Sequence, residues 1–170
     1  VKGPIEIGPY FDAFSQNAVE GNRFSLGLQT SNDFSREVWL QSFLAYGTMD
    51  QRWKYGGSAE WIVRRAPRTE VFVEHTRDID QLGMMSFFDQ GNALNSALQL
   101  NAQTRLSEVT RTEMSVLHEF GAGWGQALEF RHRTVAPRGE VQFVRESDPT
   151  GQSPLTATEL TIQTRYARNE

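Results

Sequence analysis

The residues best suited to metal or acid–base chemistry are three histidines, His75, His118 and His132. None has a second nitrogen, sulfur or carboxylate donor at the short spacing that places two ligands on one metal. They read as rim or core histidines. The triplet Arg131-His132-Arg133 offers two guanidinium groups for a phosphate. In an extended chain, alternation sends His132 to the face opposite its neighbours, so interior charge explains the arginines better. Serines and aspartates are frequent, but no Gly-x-Ser-x-Gly elbow presents a nucleophile. A membrane-embedded hydrolase is the lesser alternative. The glycines of Gly121-Ala122-Gly123-Trp124-Gly125 suit a hairpin turn, not a phosphate cradle. No catalytic residue, metal ligand set or cofactor is expected.

The elements carrying these residues alternate with period two. In Trp53–Arg64 the odd positions are Trp53, Tyr55, Gly57, Ala59, Trp61 and Val63. Even positions are Lys54, Gly56, Ser58, Glu60, Ile62 and Arg64. A strand of this kind has unlike surroundings on its two faces. The pattern recurs around Phe24–Thr30, Val38–Tyr46, Glu70–His75, Glu113–Phe120, Leu128–Arg133 and Glu159–Tyr166. The fold class is all-β: an antiparallel up-and-down meander of about seven or eight strands. Residues 1–170 form a single β-barrel region.

Parity predicts the hairpins. Folding about Asn32-Asp33 sets Leu26 opposite Leu40 and Leu28 opposite Val38. Folding through Arg65–Arg68 sets Trp61 opposite Val73 and Arg64 near Glu70. In a later pair Glu113 lies near Arg133. Short connections at Ser31–Ser35, Arg65–Arg68 and Gly121–Gln126 fall at one end. Those at Thr48–Arg52, Asp78–Ser107 and Thr134–Ala157 fall at the other, the last two being much longer. Leu94, Ala97 and Leu98 have the spacing of a short helix within one of these.

The chain has 170 residues, no cysteine and a formal charge of -4; its pI is about 5.5 and its mean hydropathy -0.52. It lacks the basic footprint of a nucleic-acid binder, so no nucleic-acid partner is expected. Disulfide and thiol chemistry are excluded. No apolar run approaches the length of a membrane helix, although membrane strands leave only a weak hydropathy signal. The opening Val1-Lys2-Gly3-Pro4 has no secretory-signal character and no initiator Met, which reads as a start inside a longer precursor or as a trimmed chain.

The apolar face has two readings. It is either the core of a soluble β-barrel or sandwich that binds a ligand, or a lipid-facing belt around a polar lumen. Trp53, Tyr55 and Trp61 sit near the two ends of one strand, as aromatic girdles do. Gly57 and Ala59 between them fill a core poorly. The lipid-face and girdle candidates are Trp53, Tyr55, Trp61, Leu26, Leu40, Tyr46, Phe130 and Tyr166. The lumen-facing candidates are Lys54, Glu60, Arg64, Glu74, Glu113, Glu129, Arg131, Arg133, Glu159 and Arg165. Their mixed signs suggest internal pairing more than an ion-selective pore. Trp39, Phe43, Ile62, Phe72 and Leu117 fall on the polar side and argue against a wide water-filled channel.

Several stretches in order carry a resemblance. They are Gly3-Pro4-Ile5-Glu6-Ile7-Gly8-Pro9-Tyr10, Val19-Glu20-Gly21-Asn22-Arg23-Phe24 and Thr30-Ser31-Asn32-Asp33-Phe34-Ser35. Ala45-Tyr46-Gly47-Thr48-Met49-Asp50, Lys54-Tyr55-Gly56 and Arg77-Asp78-Ile79-Asp80-Gln81-Leu82-Gly83 follow. The chain thereby resembles large outer-membrane proteins of Gram-negative, Bacteroidetes-type bacteria, in which a β-barrel of unknown function follows a carboxypeptidase-regulatory-like domain. Met49 stands where a basic residue belongs. The resemblance implies an outer-membrane location, a lipid bilayer as partner, an upstream regulatory-like domain and a cell-envelope protein as further partners, with a transport, channel or surface role and no catalytic residues. It also implies a fragment of a longer barrel. An odd count of seven strands agrees, since bacterial single-chain barrels use even numbers. Ile5–Phe11 is the alternative source of an eighth.

Overall fold

The computed structural model describes residues 3–8, 13–81, 106–121, 123–138, 142–144 and 150–167. Two short strands, β1 (Ile5–Ile7) and β2 (Phe14–Asn17), precede seven longer ones. These are β3 (Gly21–Thr30), β4 (Val38–Gly47), β5 (Trp53–Arg65), β6 (Arg68–Gln81), β7 (Leu106–Gly121), β8 (Trp124–Pro137) and β9 (Leu155–Tyr166). All pairings are antiparallel, and β3 to β9 follow one another as a meander. Both β1 and β2 pair with β3, at opposite ends of it. The sheet is not closed: among the described residues no pairing joins β9 to the β1–β2 edge.

Connections sort as the alternation predicts. Residues 31–37, 66–67 and 122–123 link strands at one end, and 48–52, 82–105 and 138–154 link them at the other. We call these the short-turn and long-loop ends. Gly123 shows why the β7–β8 turn needs glycine. Its φ is 80°, and a Cβ there would strike the Ala167 carbonyl, whose own N–H donates to the Gly123 carbonyl at 2.7 Å. The short helix expected at Leu94–Leu98, and most of the loop carrying it, lie outside the described residues.

Register departs from expectation in three hairpins, and apart from Arg64 the residues keep their faces. Leu26 pairs with Leu44, not Leu40, and Leu28 with Ser42, not Val38. The shift of about four residues is even, so the apolar side stays apolar. Its cause is the longer β3–β4 link, where the Ser35 hydroxyl accepts from the Glu37 and Val38 amides at 3.0 Å each and starts β4 late. Trp61 pairs with Val71, and Ala59 takes Val73. A bulge between Ile62 and Arg64 then sets Arg64 opposite Thr69, away from Glu70. Glu113 pairs with Arg131 instead of Arg133.

Among the described residues the sheet buries no apolar core on either side. Among the described residues, only Ala45 and Val135 are buried hydrophobics. The molecule exposes 12373 Å², against about 8500 Å² for a folded soluble monomer of its mass. The large apolar residues that fell on the polar side cluster toward the short-turn end. Trp39, Phe72, Ile62 and Leu117 occupy two adjacent cross-strand rows there. Phe43 is placed differently: its ring lies over Gly56, where a Cβ would collide with it.

Candidate functional site

Following register across the sheet places the lumen candidates. Lys54, Glu60, Glu74, Glu113, Glu129, Arg131, Arg133, Glu159 and Arg165 share one face. Arg64 is set apart from them, because the bulge moves it to the row of Thr69 and His118. Leu26, Leu40, Tyr46, Trp53, Tyr55, Trp61, Phe130 and Tyr166 share the other face.

The polar face brings its charges into two groups. In the middle of β6–β9, Arg131 meets Glu113 at 3.1 Å, Glu129 at 2.6 Å and Glu159 at 3.6 Å. Arg133 also binds Glu159 at 3.0 Å, and Arg111 binds Glu74 at 2.7 Å. Apart from Arg131–Glu129, which lies within β8, these are cross-strand ion pairs of a kind that ties neighbouring strands. Glu60 and Arg165 lie on the same face outside this group. Near the long-loop end Lys54 is buried to 2 % exposure beside Glu20 at 1 %, 2.8 Å away, and it also binds Asp50. Arg23 joins Glu20 at 3.3 Å and reaches Asp78, Nη2 to Oδ2, at 2.9 Å. Three strand spacings separate β3 from β6, about 14 Å in a flat sheet. Arg23 and Asp78 therefore meet only because this face is concave.

Glu20, Arg23, Asp50 and Asp78 were missed in the sequence reading. Glu20 and Asp50 lie in turns, where alternation carries no information. Asn17 fixes one turn, its side-chain oxygen accepting from the Val19 and Glu20 amides.

A third charged group lies on the otherwise apolar face. Glu108 receives Arg77 at 2.6 Å, Arg138, and Arg52 at 3.0 Å. Burial disfavours its charged form. Hydrogen bonds from Arg138 and Arg77 outweigh that and hold the carboxyl below its ordinary range. Its sequence signal was available: Arg77, Glu108 and Arg138 all carry charge at positions of apolar-face parity.

The histidines sit on this face too, each bonded through Nδ1 to a cross-strand threonine at 2.8 Å. The pairs are His75–Thr112, His118–Thr69 and His132–Thr158. No group of three metal-ligating side chains occurs among the described residues.

Rings gather at both ends of the apolar face. Tyr46 and Trp53 stand 5.0 Å apart near the long-loop end. Trp124 and Tyr166 stand 4.8 Å apart near the short-turn end. Between them the apolar residues slide along the strands. On β3 they run from Phe24 to Leu28, centred on Leu26. The row of Leu26 passes through Leu44, Tyr55, Arg77 and Thr110 to Thr134 on β8. On β8 the apolar residues instead centre near Leu128, about six residues nearer the short-turn end. Six residues are about 20 Å along a strand, and the five steps from β3 to β8 about 24 Å across the sheet. The apolar band thus slopes by about 40° to the hydrogen-bonded rows. No known protein family, curated protein or solved structure matches this chain.

Proposed function

We propose that this chain is part of the wall of an outer-membrane β-barrel, with its apolar face in lipid and its concave charged face lining the interior. Its role is transport, channel formation or surface structure, without enzymatic activity of its own. The slope of the apolar band carries this reading. Strands of a closed barrel tilt by about 35–45° to its axis. A bilayer perpendicular to that axis must then cut the hydrogen-bonded rows obliquely, at the same angle. On β5 the band runs from Trp53 to Val63, about 33 Å of strand. A tilt of about 40° projects this to about 25 Å, the height of an outer-membrane apolar belt.

Three further observations support the reading. Two aromatic clusters bound the band. Apolar residues lie exposed on one face, with Leu160 at 67 % and Ile162 at 69 %, and almost none are buried. Long connections share one end, as extracellular loops do. The ordered motifs from Gly3 to Gly83 add the family resemblance, with its upstream regulatory-like domain and cell-envelope partner. Among the described residues no helix is long and apolar enough to cross a membrane, so the strands would do the crossing. The test is refolding from denaturant into neutral-detergent micelles and into detergent-free buffer. Folded protein is expected only with detergent. A folded, monodisperse monomer in buffer alone would overturn the proposal in favour of a soluble binding module.

A further inference from the structure

We propose that Arg52, Arg77 and Arg138, fanned around Glu108, bind the phosphate monoester of a lipid headgroup at the long-loop rim. The proposal rests on the membrane reading above, which sets the depth of the site. On β7 the apolar band runs from Met114 to Phe120, with Val116 near its centre. Glu108 lies eight residues from Val116, about 20 Å of height after a tilt of about 40°. A bilayer is about 40–45 Å thick with its headgroups, so the cluster stands in the headgroup layer. It is on the lipid side of the wall, since Arg77 and Glu108 have the parity of Tyr55 and Met114.

The charge is unbalanced. Among the described residues, one carboxylate faces three guanidiniums on this side of the rim, an excess of two positive charges. Thr110, Thr134 and Thr156 form the adjacent row. Glu108 takes Nε and Nη2 of Arg77, Nε and Nη2 of Arg138, and Nη1 of Arg52. The Nη1 of Arg138 and the Nη2 of Arg52 lie outside these bonds, and Arg77 has the Tyr55 side chain as a further hydrogen-bond partner. The arginine side chains remain 45 %, 39 % and 31 % exposed for Arg52, Arg77 and Arg138, while Glu108 is 10 % exposed. A shared buried anchor thus orders three exposed forks before any ligand arrives. Forked donors suit a tetrahedral dianion better than a zwitterionic diester.

The test is calorimetric titration of the full chain, folded in neutral detergent, with short-chain phosphatidic acid, short-chain phosphatidylcholine and inorganic phosphate. Phosphatidic acid is expected to bind at least about tenfold more tightly than the other two. R77Q and R52Q should each weaken it about tenfold, the scale of one charge-assisted hydrogen bond. R52Q leaves Glu108 two guanidinium partners, so it tests the site in a chain that still folds; circular dichroism checks this. Unchanged phosphatidic acid affinity in both variants overturns the site. Equal affinity for phosphatidylcholine overturns the monoester chemistry, and equal affinity for inorganic phosphate overturns the headgroup source. The membrane reading fails separately, through detergent-free folding, and the inorganic-phosphate arm with R77Q then still reads the cluster.

Discussion

Arginine scanning along β7 separates a lipid-facing surface from a water-facing one. Thr110, Met114 and Val116 share one face of one strand. Relative to Val116, Met114 stands about 5 Å and Thr110 about 15 Å toward the long-loop rim, at a rise of about 3.3 Å per residue and the inferred tilt. Half the height of an apolar belt is about 12 Å, so Thr110 lies just beyond it. Arginine at Val116 is expected to cost about 2–4 kcal/mol, and at Thr110 about 0–1 kcal/mol, with Met114 between. The upper value corresponds to a nearly thousandfold change in the folding equilibrium. In water the ranking disappears. Val116 is already 45 % exposed and Met114 50 %, and substitutions at such surface sites usually stay within about 0.5 kcal/mol. The assay is reversible denaturant unfolding in liposomes, followed by tryptophan fluorescence. Equal costs for V116R and T110R, within about 0.5 kcal/mol, would refute both the lipid face and the tilt.

Three other outcomes are expected. K54M should destabilise the chain by about 3–5 kcal/mol, because Glu20 and Asp50 keep buried charge without their ammonium; a loss under about 1 kcal/mol in equilibrium unfolding would show the cluster to be solvated. G56A should cost about 1–3 kcal/mol through overpacking against Phe43 and Thr76, whose Cγ2 stands 2.8 Å from the added Cβ; a neutral G56A would mean the ring moves freely. Acid stability should carry the signature of Glu108. Its folded pKa is lowered, so its contribution is complete above the unfolded carboxylate value and is lost as pH falls through the folded one. E108Q should flatten that acid limb, and an unchanged pH profile would count against the three-arginine anchor.

Much of the sheet was legible because alternation is a property of each strand alone. Parity put Leu26, Trp61, Phe130 and Tyr166 on one face and Lys54, Glu74, Arg131 and Glu159 on the other before any pairing was known. Register was less legible. Leu26 finds a leucine opposite it in either alignment, so apolar matching could not choose between Leu40 and Leu44. The seven-residue link and its Ser35 hydrogen bonds decided it. Arg64 was misplaced because a bulge breaks parity without marking the sequence. The buried cluster was half visible: Lys54 was recognised as polar-facing, but Glu20 and Asp50 come from turns. The Glu108 cluster was hidden by habit, since a charge on the apolar face looks like noise until three strands repeat it.

The two margins of the sheet differ in kind. Along β3 the outer margin is occupied by β1 and β2, three and four residues long, whose pairing slips between Gly8–Gly27 and Ala13–Ser25. Their broken line offers a poor template for another strand. At the opposite margin β9 presents twelve continuous residues, and among the described residues no strand pairs with its free side. Such a margin templates strand addition. The two margins thus differ as templates: a strand of matching alternation would find a long uninterrupted seam along β9 and only short, offset segments along β1 and β2.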